Sequence, residues 1–163
     1  FVGYESLATS ACVLEVVQIK DKTAVILDAS ACYAEMGGQV GDTGELRAGS
    51  QVWRVTNTQK SGHTWLHLLE GRRQKAEGSG QEGDVVCEET DSPAVGSQVL
   101  LVVDAARRAA IQRHHTVTHL LHWALHEVVS REASQKGSFV GPDKLTFDFN
   151  HAALTAQQVA DVD

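Results

Sequence analysis

The chain has 163 residues, 42% of them hydrophobic, which is the length and composition of a globular protein that can bury a core. Its 21 acidic and 14 basic residues give a formal net charge of −7, which excludes the broad positive surface that sequence-independent binding of DNA or RNA requires. No apolar run approaches the roughly 20 residues of a membrane span. Three widely spaced cysteines without a C-x-x-C pair exclude a disulfide framework and favour a reducing compartment.

Several short strands are predicted between residue 11 and about residue 103. Each is apolar or alternates apolar with polar residues, and turn-forming Gly, Asp and Ser residues stand between them. The predicted strands occupy residues 11–20, 22–29, 51–59, 64–70, 84–89 and 97–104. Strands of this length and spacing predict a small antiparallel barrel or sandwich.

The glycine-rich stretch YAEMGGQVGDTGEL, residues 33–46, lies among these strands. Gly37 and Gly38 can adopt positive φ angles or let another backbone approach closely, and Gln39 offers amide donors and an acceptor. On these residues alone we interpret the stretch as a bulged hairpin whose tight turn is G-D-T-G. A phosphate-binding loop fits poorly, because G-K-[ST] is missing.

A long helix is predicted from residue 105 to residue 133, capped by Asp104, because Ala, Arg, Leu and Glu favour helix and no Pro or Gly interrupts the run. One narrow stripe of this helix consists of His115, His119, His122 and His126. The opposite side carries Val117, Leu120, Leu121, Ala124, Leu125 and Val128. This pattern predicts that the apolar side packs against a core and that the imidazoles point away from it.

His115 and His119, at positions i and i+4, have the spacing at which two imidazoles on one helix bind a tetrahedral metal such as zinc. The alternative is a pair of solvated helix-face histidines, which is the favoured interpretation of an isolated pair. A metalloprotease would need Glu directly after the first histidine, where Thr116 stands. Zinc needs two further ligands, and we expect them beyond Asp163.

The segment QKGSFVGPDKLTFDF, residues 135–149, predicts two extended stretches on either side of a G-P-D turn. Gln135 and Ser138 are short polar residues that could line a pocket beside a metal held by the two histidines. The alternative is simple turn chemistry around Gly137. Further along, Thr155 is predicted to cap another helix.

The predicted organisation is α+β: a small antiparallel β-barrel followed by the first part of an α/β core with the long histidine-bearing helix. We place the barrel with its glycine-rich motif at 1–95 and the second domain at 96–163. The first residues show neither an initiator Met nor a signal-peptide pattern, and the last helix barely begins. We therefore expect a piece of a longer chain.

Four stretches carry a family resemblance: FVGYESL at 1–7, CYAEMGGQVGDTG at 32–44, RRAAIQRHHTVTHLLHWAL at 107–125 and QKGSFVGPDKLTFDFNH at 135–151. Together they resemble the editing region of alanyl-tRNA synthetases, and free-standing AlaX-type editing proteins are similar as well. The stretches occur in the family's order and cover the chain from Phe1 to about Val159. The fold that the resemblance implies is the barrel followed by an editing core.

The resemblance implies hydrolysis of mischarged Ser-tRNA(Ala) and Gly-tRNA(Ala) in a Zn²⁺-dependent pocket of an ATP-binding enzyme that aminoacylates tRNA(Ala). The partner would be the acceptor end of tRNA(Ala) carrying Ser or Gly. On the family's H-T-x-T-H motif, His115 and His119 would be the first two zinc ligands. The other two belong to a later C-x-x-x-H segment, which the 163 residues lack.

Further site residues follow from the same resemblance. Thr118 and Gln135 match positions of the editing pocket and are predicted to act in catalysis and in telling Ser from Ala. The residues predicted to bind the substrate are Gly37, Gly38, Gln39 and Ser138. Because a synthetase pocket for alanine cannot strongly exclude Gly or Ser, a second site must remove them, and a hydroxyl and an amide there can select serine.

Two departures from the family's pattern suggest a divergent member. His114 stands where the family usually has Asn, and Met36 falls within a run usually made of small residues. We therefore expect a location in the mitochondrial matrix, and otherwise the cytoplasm. Two other functions stay open: a free-standing deacylase that edits in trans, and a non-catalytic RNA-binding module whose histidines are solvated.

Overall fold

The structure, a computed structural model, describes residues 1–70 and 92–162. The strands are β1 (Ala8–Ile19), β2 (Lys22–Leu27), β3 (Gly44–Ala48), β4 (Gln51–Ser61), β5 (Thr64–Leu69), β6 (Gln98–Val103), β7 (Gln135–Val140) and β8 (Leu145–Phe149), and the helices are α1 (Ala105–Val128) and α2 (Ala156–Val162). The expected α+β fold, with an N-terminal antiparallel barrel and a long histidine-bearing helix, is confirmed. The predicted strand at 84–89 lies outside the described residues.

The first six strands form a closed barrel in the order β1-β2-β5-β4-β3-β6, and antiparallel pairing of β6 with β1 closes it. Side chains alternate across each strand, so β6 turns Val99, Leu101 and Val103 inward and keeps Gln98 and Leu100 exposed. The other buried residues of this core are Ala11, Val13, Val25, Leu27, Ala31, Cys32, Leu46, Trp53, Val55 and Leu69. The barrel therefore has a continuous apolar interior of its own.

Strand β3 escaped the sequence prediction. It is five residues long, and the turn-like sequences on either side leave Leu46 as its one fully buried position. Its first residue must be Gly, because a Cβ at Gly44 would collide with the carbonyl oxygen of Val102 on β6. The alternation is too short to be recognised, although the strand pairs with both β4 and β6.

The predicted tight turn at residues 41–44 is wrong. Asp42 is buried instead: its Oδ2 accepts from the Tyr33 amide at 2.7 Å, and its own amide donates to the Tyr33 carbonyl oxygen at 2.9 Å. The Asp42 carbonyl oxygen also accepts from Thr58 Oγ1 at 3.1 Å. The bond from the Tyr33 amide occupies the Asp42 side chain, which is therefore unavailable for the local hydrogen bond of a hairpin turn.

The tight turn lies earlier, between Met36 and Gln39, whose amides donate to each other's carbonyl oxygens at 3.2 and 3.0 Å. Gly37 and Gly38 between them have φ angles of 61° and 86°. A two-residue turn with positive φ at both central positions is a type I′ turn, which strongly favours glycine. The sequence thus contained two turn candidates, and the structure uses the Gly-Gly pair.

A buried histidine links segments inside the barrel. His67, on β5, has Nδ1 2.9 Å from the Val25 carbonyl oxygen and Nε2 2.8 Å from Ser30 Oγ. Because a carbonyl oxygen only accepts, Nδ1 carries the ring proton and Nε2 accepts from the Ser30 hydroxyl. That hydroxyl oxygen also accepts from the Cys32 amide at 3.1 Å. Burial, only partly offset by the hydrogen bond to Val25, lowers the pKa of His67 to about 4.

The chain divides into two compact units, one of residues 1–34 and 42–104 and the other of residues 35–41 and 105–163. The division differs from the predicted boundary near residue 95. Strand β6 belongs to the barrel unit, because it pairs with β1 and β3. The glycine-rich segment 35–41 belongs to the second unit, because its backbone pairs with β7.

In the second unit, α1 ends at Val128, five residues before the predicted end. The Val129 amide still makes the helical bond to the Leu125 carbonyl oxygen, but the Ser130 amide donates to that same oxygen, five residues back, and so leaves the helical pattern. The hairpin β7–β8 confirms the two extended stretches predicted around the G-P-D turn. Within the described residues, no helix combines the length and the apolarity that crossing a membrane requires.

The prediction that the apolar side of α1 faces a core is confirmed at Leu125, which is 1% exposed, and is wrong at Val117 and Leu120. Val117, Leu120 and Trp123 are 46%, 58% and 64% exposed and line, with α2, an open groove. The buried helix residues are Arg108, Ile111, Thr118 and Leu125. The histidine side faces the hairpin instead: the rings of His122 and Phe147 are 5.3 Å apart.

Helix α2 begins with a reciprocal cap, as expected for Thr155. The Gln158 amide donates to Thr155 Oγ1 at 3.2 Å, and the Thr155 amide donates to Gln158 Oε1 at 3.0 Å. This is a capping box, which satisfies two amides at the helix start.

Replacing Thr155 by Ala is expected to destabilise this helix by about 1 kcal/mol, since it removes the cap acceptor. The measurement is amide hydrogen exchange at Val159, whose amide donates to the Thr155 carbonyl oxygen, and exchange should accelerate about fivefold. Thr155→Ser keeps the hydroxyl and should exchange like the unsubstituted protein. Equal protection in Thr155→Ala would show that the cap contributes nothing to α2.

Candidate functional site

His115 and His119 face each other on α1 as their spacing predicted. Their Nε2 atoms are 3.0 Å apart, and the ring centroids are separated by 4.8 Å with the planes at 60°. Nδ1 of His115 lies 2.8 Å from Oε1 of Gln39. Because an amide oxygen only accepts, Nδ1 is the donor of this bond, and the other ring nitrogen, Nε2, faces Nε2 of His119.

This geometry fits half of a zinc site. Zinc binds imidazole nitrogen at about 2.0 to 2.1 Å, so two nitrogens on one tetrahedral ion are about 3.3 Å apart. The two Nε2 atoms need to separate by only a few tenths of an ångström to meet this value. Among residues 1–70 and 92–162, no group of three or more His, Cys, Asp or Glu is placed to hold a metal ion. His115 and His119 would therefore supply two of four ligands.

A second histidine pair with the same spacing does not share this arrangement. His126 Nε2 donates to the Ala133 carbonyl oxygen at 2.6 Å. This nitrogen carries a proton in that bond and therefore has no lone pair to offer a metal. His122 contacts His126 ring to ring at a centroid distance of 4.4 Å, and its Nε2 is buried with no hydrogen-bond partner in the described part of the chain. Spacing alone thus selected both pairs, and only the first has facing Nε2 atoms.

The glycine-rich segment reaches this site by pairing with β7. The Val140 amide donates to the Gly38 carbonyl oxygen at 2.8 Å, and the Val40 amide donates to the Val140 carbonyl oxygen at 3.1 Å. Arg107 at the start of α1 donates to the Gly41 carbonyl oxygen at 2.8 Å. The segment is thereby fixed at both ends, and Gln39 lies between the fixed points.

Gly38 and Ser138 lie in contact, because a Cβ at Gly38 would collide with the Ser138 carbonyl oxygen and approach Oγ to 2.8 Å. Gln135 Nε2 donates to Ser138 Oγ at 2.9 Å. Gly37 has open space where a Cβ would be, so only its positive φ in the turn favours glycine there. The structure therefore connects Gln135, Ser138 and the glycine-rich segment through these contacts, and their predicted roles stay predictions.

Thr118 is almost fully buried on α1, three residues after His115. Its Oγ1 donates to the His114 carbonyl oxygen at 2.8 Å, within the helix. The Thr118 hydroxyl hydrogen is used in this bond, so towards any other group Oγ1 can act only as a hydrogen-bond acceptor. The predicted partnership of Thr118 with Gln135 in one pocket stays a prediction.

Two contacts at the site escaped the sequence analysis. His114 Nδ1 donates to the Gly141 carbonyl oxygen at 2.7 Å and so ties α1 to the hairpin turn. Arg107 holds the glycine-rich segment, where sequence alone showed only a basic residue on a helix. Both contacts join residues far apart in the chain, and no local spacing predicts such pairs.

Comparison with known proteins gives the family. Residues 2–94 match the model of the family described as tRNA synthetases class II (A). The chain belongs to this class II tRNA synthetase family. Among its relatives, the alanine-tRNA ligase of Akkermansia muciniphila is 42% identical over 159 residues, which are 98% of this chain and 15% of that protein. The alanine-tRNA ligase of Methylacidiphilum infernorum is 41% identical over 165 residues, which are 100% of this chain and 16% of that protein.

A third relative, the alanine-tRNA ligase of Dichelobacter nodosus, is 43% identical over 144 residues, covering 88% of this chain and 14% of that protein. This class II synthetase chain is thus homologous along its whole length to alanine-tRNA ligases, and it spans about one sixth of their length. The family-model match ends at residue 94, whereas the similarity to the ligases extends over α1 and β7. The histidine pair and Gln135 therefore lie in the region shared with the ligases.

Proposed function

We propose that this chain is the editing region of an alanine-tRNA ligase and hydrolyses Ser-tRNA(Ala) and Gly-tRNA(Ala) with a zinc ion. The observation that carries the proposal is the facing pair of Nε2 atoms of His115 and His119, 3.0 Å apart, on a helix shared with alanine-tRNA ligases. A pair arranged in this way is suited to bind one metal ion, because the two Nε2 atoms face each other while Nδ1 of His115 bonds to Gln39. The remaining two ligands would come from elsewhere in the ligase.

A zinc ion held by the two histidines would supply Lewis acidity, polarising the ester carbonyl of the aminoacyl-tRNA or a water molecule. His115 and His119 would hold it, and Gly37 and Gly38 would shape the loop beside it. Editing is needed because a pocket for alanine excludes neither the smaller glycine nor serine, which only adds a hydroxyl. A separate hydrolytic site meets this need.

The proposed role of Gln135 is to favour serine. Its Nε2 donates to Ser138 Oγ, which orients the amide and leaves Oε1 available as an acceptor. The serine hydroxyl would donate to this oxygen, whereas alanine would leave the acceptor unpaired on binding. Thr118 would contribute its oxygen as a second acceptor, because its hydrogen is committed to His114. Gln135 and Thr118 are therefore the proposed residues for selecting serine.

The test uses the full ligase that contains this chain, with His115→Ala and His119→Ala combined. Zinc content and hydrolysis of Ser-tRNA(Ala), against Ala-tRNA(Ala) as the non-substrate, should both be lost, while the rate of aminoacylation is retained. A matched control combines His63→Ala and His151→Ala, two exposed histidines that should leave zinc and hydrolysis unchanged. Unchanged zinc content and hydrolysis in the first variant would refute the proposal.

Two alternatives make different predictions in the same test. A free-standing deacylase would hydrolyse Ser-tRNA(Ala) in a protein without aminoacylation activity, and the whole-length similarity to ligases speaks against it. A non-catalytic RNA-binding module would hold no zinc in the full protein, and the net charge of −7 speaks against it. The mitochondrial matrix stays a prediction of location, based on His114 and Met36.

A further inference from the structure

We propose that Gln39 is a positioning residue for the metal ligand His115. Its side-chain oxygen determines which ring nitrogen of His115 carries the proton and directs the other nitrogen at the metal. The inference rests on the proposed function, because it assigns a role at the same zinc site. The sequence G-G-Q at residues 37–39 then has one shared function: the two glycines form the turn that places Gln39 beside His115.

The hydrogen bond between Gln39 and His115 determines which nitrogen of the His115 ring carries the proton. Oε1 of Gln39 lies 2.8 Å from Nδ1 of His115 and can only accept, so the proton is held on Nδ1 and the Nε2 lone pair is kept for the metal. A histidine that binds a metal almost always donates its other N–H to a carboxylate, a carbonyl oxygen or water. In the described residues, Gln39 provides that acceptor for His115.

The backbone around Gln39 holds the acceptor in place before any metal binds. Its amide and carbonyl groups are paired with Met36 in the type I′ turn, and the residues on either side pair with Val140. Gln39 itself is 9% exposed, so its side chain has little freedom. Because the acceptor is already fixed, little side-chain conformational entropy is lost when a metal binds.

The two glycines make this placement possible. Gly37 and Gly38 both adopt positive φ angles, and Gly38 contacts Ser138 so closely that no Cβ fits. The glycines bring the loop against β7, and the next residue then extends its amide to α1. Gln39 was also predicted to bind substrate, and this stays a prediction, because the bond to His115 uses one acceptor position of Oε1 and leaves the amide N–H donors to other groups.

The test measures zinc affinity in the full ligase, by competition with a chromophoric chelator, for Gln39→Leu and Gln39→Glu. Leu keeps the volume and removes the acceptor, so the zinc dissociation constant should rise about tenfold to a hundredfold. Glu restores an acceptor of the same shape and should bind zinc at least as tightly as the unsubstituted ligase. The absorption spectrum of the Co²⁺-substituted protein should change in Gln39→Leu and be restored in Gln39→Glu.

The matched control is Gln112→Leu. Gln112 is an exposed glutamine on α1, the helix that carries His115, and its substitution should leave the zinc dissociation constant unchanged. Unaltered zinc affinity in Gln39→Leu, with zinc lost in His115→Ala/His119→Ala, would overturn the role of Gln39 and leave the proposed function standing. Equal weakening in Gln39→Leu and Gln39→Glu would also overturn it, because the acceptor would then be irrelevant. Absence of zinc from the unsubstituted ligase would overturn both proposals.

Discussion

Gly38→Ala is expected to lower the free energy of unfolding by about 3 kcal/mol, because a positive φ costs Ala about 1 to 2 kcal/mol and the added methyl group must displace β7. Gly38 has a φ of 86°, and a Cβ there would collide with the carbonyl oxygen of Ser138. The Val140 amide, which donates to the Gly38 carbonyl oxygen, should lose its protection from hydrogen exchange. Urea denaturation and amide exchange measure the two effects.

Gly37→Ala is the matched control for this prediction. Gly37 also has a positive φ, 61°, but nothing lies within 4 Å of the position of its Cβ. We expect it to lose only the conformational part, about 1 to 2 kcal/mol, and to keep Val140 protected. Equal losses of stability at the two positions would show that contact between Gly38 and Ser138 does not contribute.

Stability is expected to fall by up to about 3 kcal/mol as the pH drops from above 6.5 to below 4, because of His67. Burial, partly offset by the hydrogen bond to Val25, lowers the pKa of His67 to about 4 in the folded state, against 6.5 for the exposed side chain. Between these values the unfolded chain binds a proton at His67 and the folded chain does not. The free energy of unfolding therefore decreases with falling pH across this window and is unaffected by His67 above it.

The structural reason is the closed hydrogen-bond arrangement of the His67 ring. Protonation at Nε2 would place a second N–H against Ser30, whose hydroxyl donates to that nitrogen. The neutral ring satisfies both of its nitrogens, whereas protonation would force the Ser30 hydroxyl hydrogen to turn away from Nε2 and would leave a positive charge buried.

Urea denaturation at several pH values between 4 and 7.5 measures the effect. His67→Gln should be less stable at neutral pH, and its free energy of unfolding should change less steeply between pH 6.5 and 4. His63→Gln, an exposed histidine in the turn between β4 and β5, should keep the original slope. An unaltered slope in His67→Gln would show that another group causes the acid sensitivity.

The barrel could be predicted from sequence because its information is local. Alternation of apolar and polar residues reveals strands such as β6, whose inward residues are every second one. Strand β3 was missed because it is short and has a single fully buried side chain, Leu46. The order of the strands in the barrel depends on pairing between distant segments. The alternation within one strand does not show which other strand it pairs with.

The site was predicted only in part for the same reason. The i, i+4 spacing brings His115 and His119 together, since helix geometry alone determines their distance. The hydrogen bond from His115 to Gln39 joins residues 76 positions apart, and it has no counterpart in local spacing. The buried face of α1 was predicted only in part, correctly at Leu125 and wrongly at Leu120, because the apolar pattern does not show which side the β7–β8 hairpin covers. Leu120 is exposed and His122 packs on Phe147.

The long sequence separation between His115 and Gln39 has a consequence for folding kinetics. The two histidines belong to one helix, and a helix forms within about a microsecond from local contacts. The glycine-rich segment must close a loop of 76 residues before it reaches them, and long-range closure is the slow step in chains of this kind. The His115 ring is therefore expected to reach its final orientation late in folding, when Gln39 arrives. Metal binding during refolding would then measure completion of the native topology rather than formation of α1.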